Sequence, residues 1–176
     1  MQQIGPLSFL LYWSVVGYIV YPRWRGPAVP ISEYVTSGNL KKLYQLASVI
    51  SFTGYALFCI YWLFPEYDVH YSAAVLILFS YITQMLTTFT IRSERKSQFW
   101  HDWYARLSGT AAICLLPFLA ASDSAPGYLV TITWVSFPLM IALGTYLRRV
   151  NRTYFMPLQI GLFLYYHLLI IGFTYL

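Results

Sequence analysis

Six apolar runs, each close to the length of a bilayer crossing, leave this 176-residue chain few folds to choose from. They fall at about residues 6–21, 43–64, 71–91, 99–121, 128–147 and 155–176, and a membrane helix needs ~20 apolar residues to cross the hydrocarbon. A helix closes its own backbone hydrogen bonds in lipid, where no water can do so. The first run is the shortest, and Met1–Gly5 can extend it through the interface. Composition points the same way. Hydrophobic residues make up 59% and charged residues 10%, against roughly 25% charged in an ordinary soluble domain. The expected fold is an all-α integral membrane bundle of six transmembrane helices, one domain over residues 1–176.

Charge is divided between alternate connections. Of the eleven Lys and Arg residues, all but Arg106 lie in the first, third and fifth. The first carries Arg23, Arg25, Lys41 and Lys42, the third Arg92, Arg95 and Lys96, and the fifth Arg148, Arg149 and Arg152. The second and fourth carry only acidic charge, at Glu66, Asp68 and Asp123. Basic loops stay in the cytoplasm, because moving cations across the membrane potential and away from anionic lipid is unfavourable. Loops one, three and five are therefore expected inside and both termini outside. The net charge of +5 reflects this orientation. A nucleic-acid partner would need a soluble basic face with accessible aromatics, and the sequence offers none.

The N-terminus, MQQIGPLSF, lacks the positive n-region of a secretory signal, so the first helix is expected to be retained. Cys59 and Cys114 lie inside apolar runs without metal-type spacing and read as small hydrophobes. Seventeen Tyr and six Trp suit aromatic belts at both interfaces. Loop one, PRWRGPAVPISEYVTSGNLKK, is the only substantial extramembrane segment. Pro22, Pro27 and Pro30 stiffen it, and Ser32 or Thr36 offers a cap for a helical turn. Pro117 and Pro138 each remove a backbone hydrogen bond inside a helix, where a kink is expected. Pro157 lies near a helix start, where proline costs little.

The stretch RKSQFWHDWYARLSG opens the fourth run. Asp102 and Arg106 are four apart and face each other on a helix, while Trp100, Trp103 and Tyr104 suit headgroup depth. An interfacial anchor explains all of these but not His101. Glu33, in the PISE segment of loop one, meets the same side of the membrane. Glu33, His101 and Asp102 together are the raw material for general acid–base chemistry or a divalent metal site. Which metal or cofactor would serve, if any, is left open. Glu66, Asp68 and His70 form a rival cluster on the opposite face, where a short acidic turn is ordinarily just solvated.

His167 sits near the middle of the sixth run, where an ionisable residue is costly and faces the bundle interior. It reads as a neutral imidazole bonded to a hydroxyl or amide, or as a ligand or relay group. Helix three supplies a polar stripe, Ser80, Gln84 and Thr87, and helix two a second, Ser48, Ser51 and Tyr55. Such stripes are more often helix–helix packing surfaces than conduits. His167, Gln84 and Thr87 are the candidate ligand-binding residues. No lysine lies within a run, which argues against a retinal Schiff base, and the histidines sit at different depths, which argues against a bis-histidine haem.

The pieces IGPLSFLLY, PISE and WHDWYARLSG, with LFPEYD and Gln159 as smaller echoes, occur in an order that covers nearly the whole chain. In this the chain resembles a family of uncharacterised six-helix bacterial and archaeal membrane proteins distantly similar to the DRAM/Sfk-like membrane proteins. The resemblance implies that the PISE-type and HD-type motifs share one membrane face, in agreement with the positions of Glu33, His101 and Asp102. It also implies an external position for that face, whereas the loop charges place it inside. Eukaryotic relatives touch lipid remodelling and autophagy, a pointer towards lipids.

Three readings follow from the sequence. The first is a non-enzymatic membrane protein that binds or senses a lipid or small amphiphile within the bundle. The second is a membrane-embedded lipid hydrolase or metal-assisted enzyme using Glu33, His101 and Asp102. The third is a structural subunit of a membrane complex, partnered by other membrane proteins or by a second copy of this chain. Orientation is open to direct test in a chain whose native cysteines are replaced. Cysteines placed in loops one, three and five are expected to resist an impermeant thiol reagent in intact cells, while those at Glu66, Asp68 and Asp123 label. Labelling of loop three from outside would reverse the topology.

Overall fold

Hydrocarbon solvates side chains but not peptide groups, so each apolar run must close its hydrogen bonds within itself. The computed structural model describes residues 1–35, 38–90, 95–149 and 155–175. Its long helices are α1 (Ile4–Val20), α2 (Gly38–Glu66), α3 (Ser72–Phe89), α4 (Arg95–Ala120), α5 (Gly127–Arg149) and α6 (Phe155–Tyr175). Six helices are long and apolar enough to cross a membrane, and no strand occurs among the described residues. The protein is an all-α bundle of multi-pass membrane type.

Two helices begin earlier than their apolar runs. α2 starts at Gly38, so Lys41 and Lys42 sit near its start rather than in loop one, and α4 starts at Arg95. Both extensions are polar, GNLKK and RKSQ, and a hydropathy pattern cannot register a helix that continues out of hydrocarbon. Thr36, Ile91, Arg92, Arg152 and Leu176 lie outside the described residues. α2 is not uniform, since Cys59–Leu63 forms a π turn just before Pro65. In α register the Pro65 ring would crowd the Tyr61 carbonyl, and a widened turn relieves that contact. α4 and α5 run through Pro117 and Pro138 without breaking.

Each helix packs on its neighbours in sequence, and α6 returns to α1 to close the ring. The α1–α2 seam relies on small residues. A side chain at Gly5 would come within 2.7 Å of the Phe58 ring, and one at Gly54 would collide with Ser8. Close backbone approach of this kind drives helix association in lipid. Ser80 and Ser108 pin α3 to α4 by donating to each other's carbonyl at 3.1 Å. The first and last helices are joined by polar contacts near their ends. Gln2 Nε2 donates to the Thr174 carbonyl at 2.8 Å, and the Tyr175 hydroxyl donates to Gln3 Oε1.

The main apolar core runs through all six helices, with Phe58, Leu115, Leu116, Leu119, Ile170 and Phe173 among its most enclosed members. A second, smaller core forms where loop one folds back over the end of the bundle. Ile31, Tyr34 and Val35 are buried there against Tyr12, Val16, Ile19 and Met156. Ile31–Tyr34 is a 3₁₀ turn entered from Pro30, with Ser32 inside it rather than capping it. Arg25 holds the loop closed. Its guanidinium lies 4.7 Å over the Tyr34 ring and donates to the Glu33 carbonyl at 2.7 Å, while its backbone N–H donates to the Tyr34 hydroxyl. Arg23 donates to the Ile19 carbonyl at 3.1 Å, at the C-terminal end of α1, where a cation is favoured. The Met156 N–H donates to the Pro27 carbonyl and fastens loop one to the start of α6.

Candidate intramembrane cavity

Helix faces repeat every three to four residues, so a stripe of small or polar residues at that spacing marks one direction. On α4 the stripe is His101, Ala105, Ser108, Gly109 and Ala112; on α3 it is Ile77, Ser80, Tyr81, Gln84 and Thr87. On α6 it is Gln159, Phe163, Tyr166 and His167. These faces, with Tyr44, Phe52, Tyr55 and Ala56 of α2, Tyr12 of α1 and Ile31 and Ser32 of loop one, enclose a cavity of about 110 Å³. An engineered apolar cavity of ~150 Å³ takes up benzene, so the space suits a ring-sized group. From Thr87 to Ile77 it extends about 15 Å along α3, at 1.5 Å per residue. That is half of a ~30 Å hydrocarbon core. The lining lies in the half of the bundle nearer loop one. Among the described residues none of α5 lines the cavity.

His167 closes the deep end, 7% exposed. Its Nδ1 accepts the Trp13 indole N–H at 2.9 Å, and Phe9 stacks on its ring at 3.9 Å. An indole N–H can only donate, so Nδ1 carries no proton and the neutral ring keeps its hydrogen on Nε2. The expected interior position holds, but the partner is an indole on α1 rather than a hydroxyl or amide. Phe9 and Trp13 are four apart and present one aromatic face to α6. Beside His167, the Tyr55 and Tyr166 hydroxyls satisfy each other at 2.8 Å.

At the loop-one end, His101 Nδ1 lies 3.2 Å from the Thr90 carbonyl. A carbonyl only accepts, so here Nδ1 carries the proton, the opposite of His167. His101 shares the cavity wall with Ile31 and Ser32, whereas the neighbouring Glu33 and Asp102 are not part of the lining. The Glu33 side chain is exposed on the 3₁₀ turn, and Asp102 is half-buried on α4. None of the three is without a partner. Among the described residues no three His, Cys, Asp or Glu side chains are grouped so as to hold a metal ion. Gln84 and Thr87 line the cavity as the helix-three stripe predicts, and the Thr87 hydroxyl donates to the Thr83 carbonyl at 2.8 Å. Sequence reasoning named Gln159 only as a motif echo. The structure puts it in the wall with its Oε1 buried and unpartnered.

Trp100 and Trp103 are exposed, and Trp100 stacks on Tyr104 at 5.8 Å. On the other face of the bundle, the rival acidic cluster is occupied locally. Asp68 takes a left-handed backbone (φ 49°) and accepts the Ser124 hydroxyl at 2.8 Å, while His70 Nδ1 accepts the Ser72 N–H at the start of α3. Between them the Tyr67 hydroxyl donates to the Phe173 carbonyl, and burial and the Glu66 charge hold its phenol above its ordinary range. Ser122 donates to the Tyr67 carbonyl, tying loop four to loop two.

No family model matches the chain, and neither does any curated protein or solved structure.

The Trp13–His167 bond carries a stability prediction. Trp13→Phe keeps an aromatic ring but leaves Nδ1 without its donor, at a cost of about 1 kcal/mol. His167→Phe is expected to cost a similar amount, and the double substitution less than the two together. Thermal unfolding of the detergent-purified protein reads all three, and strict additivity would dissolve the bond.

Proposed function

We propose that this protein binds a lipid or small amphiphile inside its bundle. The observation that carries this reading is the cavity itself. It is a ring-sized space at membrane depth, walled by faces of five of the six helices and covered by an ordered loop. Membrane lipids are its partner class. Small residues support the reading, because Ala105, Ser108, Gly109 and Ala112 keep one face of α4 low where larger side chains would fill the space. The lipid-related roles of the eukaryotic DRAM/Sfk-like proteins, which the PISE and WHDWYARLSG motifs bring to mind, point the same way. The enzyme reading gains less, since neither Glu33 nor Asp102 belongs to the wall that contains His101. Loops one, three and five lie in the cytoplasm on this reading, so the cavity is entered from the inner half of the bilayer.

A cavity-filling substitution tests the proposal. A side chain at Gly109 meets no other atom within 4 Å, so it enters open space. Gly109→Phe is expected to fold and to lose the co-purifying lipid that native mass spectrometry detects on the unmodified protein. Gly109→Ala is the control, retaining the lipid and gaining up to about 1 kcal/mol from improved helix propensity. Equal lipid occupancy in all three proteins would place any bound lipid on the outer surface and sink the proposal.

A further inference from the structure

The chemistry of the cavity wall narrows what it accepts. Among the described residues its lining contains no Lys, Arg, Asp or Glu. A formal charge drawn inside would lose its water and meet no counter-ion, which is strongly unfavourable. The wall is not purely apolar either. Gln159 Oε1 is buried with no protein partner, and buried carbonyl oxygens of this kind are ordinarily hydrogen-bonded. The Gln84 carboxamide faces the same space from α3. Two helical turns deeper on α6, His167 has its Nδ1 occupied by Trp13, which leaves its Nε2–H as the donor. The remaining hydroxyls are largely spent within the protein. Tyr55 pairs with Tyr166, Ser80 with Ser108, and Thr87 with the Thr83 carbonyl.

An occupant therefore has to supply a hydrogen-bond donor to Gln159 and bring no charge. We infer that the cavity receives the head of an uncharged, hydroxyl-headed lipid of the monoacylglycerol class in preference to fatty acids and phospholipids, its acyl chain staying in the bilayer and a head-group hydroxyl donating to Gln159 Oε1. This inference rests on the cavity being a ligand site. A fatty acid carboxylate only accepts hydrogen bonds and would set two oxygens against Gln159. A phosphate head carries more charge still, with no cation among the described residues of the wall to receive it. The neutral tautomer of His167 fits the same preference, because it offers one N–H to a ligand oxygen without adding a charge.

The experiment compares three amphiphiles with one acyl chain and different heads. Radiolabelled 1-oleoylglycerol, oleate and oleoyl lysophosphatidate are equilibrated with the full chain in phosphatidylcholine nanodiscs at about pH 8. The expected result is binding of 1-oleoylglycerol at least about tenfold tighter than either anion. Gln159→Met, nearly isosteric and unable to accept, is expected to weaken it by about three- to tenfold. Circular dichroism and the melting temperature check that each variant is folded. Oleate or lysophosphatidate binding as tightly, with all binding abolished by Gly109→Phe, would overturn the charge selection and leave the cavity reading standing. Unchanged 1-oleoylglycerol binding in folded Gln159→Met would overturn the role given to that residue. Failure of all three to bind, or binding that Gly109→Phe does not alter, would overturn the cavity reading as well.

Discussion

One hydrogen bond, from the Trp13 indole to His167 Nδ1, sets much of what the interior of this bundle can be. A histidine at this depth is tolerated only if its ring is neutral and its polar atoms are answered. The indole answers one nitrogen and fixes the tautomer in the same act, because it can donate and never accept. The bond also joins α1 to α6, the seam that closes the ring of helices. Phe9, stacked on the same imidazole, and the terminal contacts through Gln2 and Gln3 reinforce that closure. With the ring closed, the small faces of α3 and α4 line a space within the bundle.

The bilayer imposes a second accounting on every hydroxyl in the spans. Several of them bond back to the carbonyl four residues earlier, as Ser8, Thr83, Thr88, Ser136 and Thr174 do. Such back-bonding lets a polar side chain reside in a membrane helix without an outside partner. Against this background Ser48, Ser51, Thr133 and Gln159 Oε1 are buried without a partner, and of these Gln159 is the one that lines the cavity. A carboxamide oxygen only accepts, so it cannot bond back to a carbonyl of its own helix as a threonine hydroxyl does, and its donor has to come from outside that helix. The unmet acceptor and the neutral imidazole together give the cavity a chemical character that size alone would not.

Much of the architecture was legible in the sequence, because apolar length and membrane thickness are tied by a single constraint. The six spans appear within a few residues of their apolar runs, and the departures at Gly38 and Arg95 are polar helical extensions that hydropathy does not see. The stripe of Ser80, Gln84 and Thr87 was visible as spacing, and so was the small Ala105 beneath His101. The assembly of these faces into one cavity was not visible, since it depends on which helices are neighbours. The π turn at Cys59–Leu63 had no sequence signal beyond the nearby Pro65. Loop one was legible as stiff but not as a cover. Its packing rests on Ile31, Tyr34 and Val35, three apolar residues spread through a polar segment too short to show a period. The pairing of Trp13 with His167 joins positions 154 residues apart and had no local cue at all.

The most direct test of this account is the protonation pattern of His167. The chain has three histidines, so selective ¹⁵N labelling with His167→Phe as the assignment control isolates its two ring nitrogens. The account predicts an unprotonated, hydrogen-bonded Nδ1 and a protonated Nε2, with the Nδ1 resonance shifting in Trp13→Phe. A ring protonated on both nitrogens, or on Nδ1 alone, would contradict it. Either result would mean that the indole is not the partner and that the deep end of the cavity is charged or offers an acceptor instead of a donor.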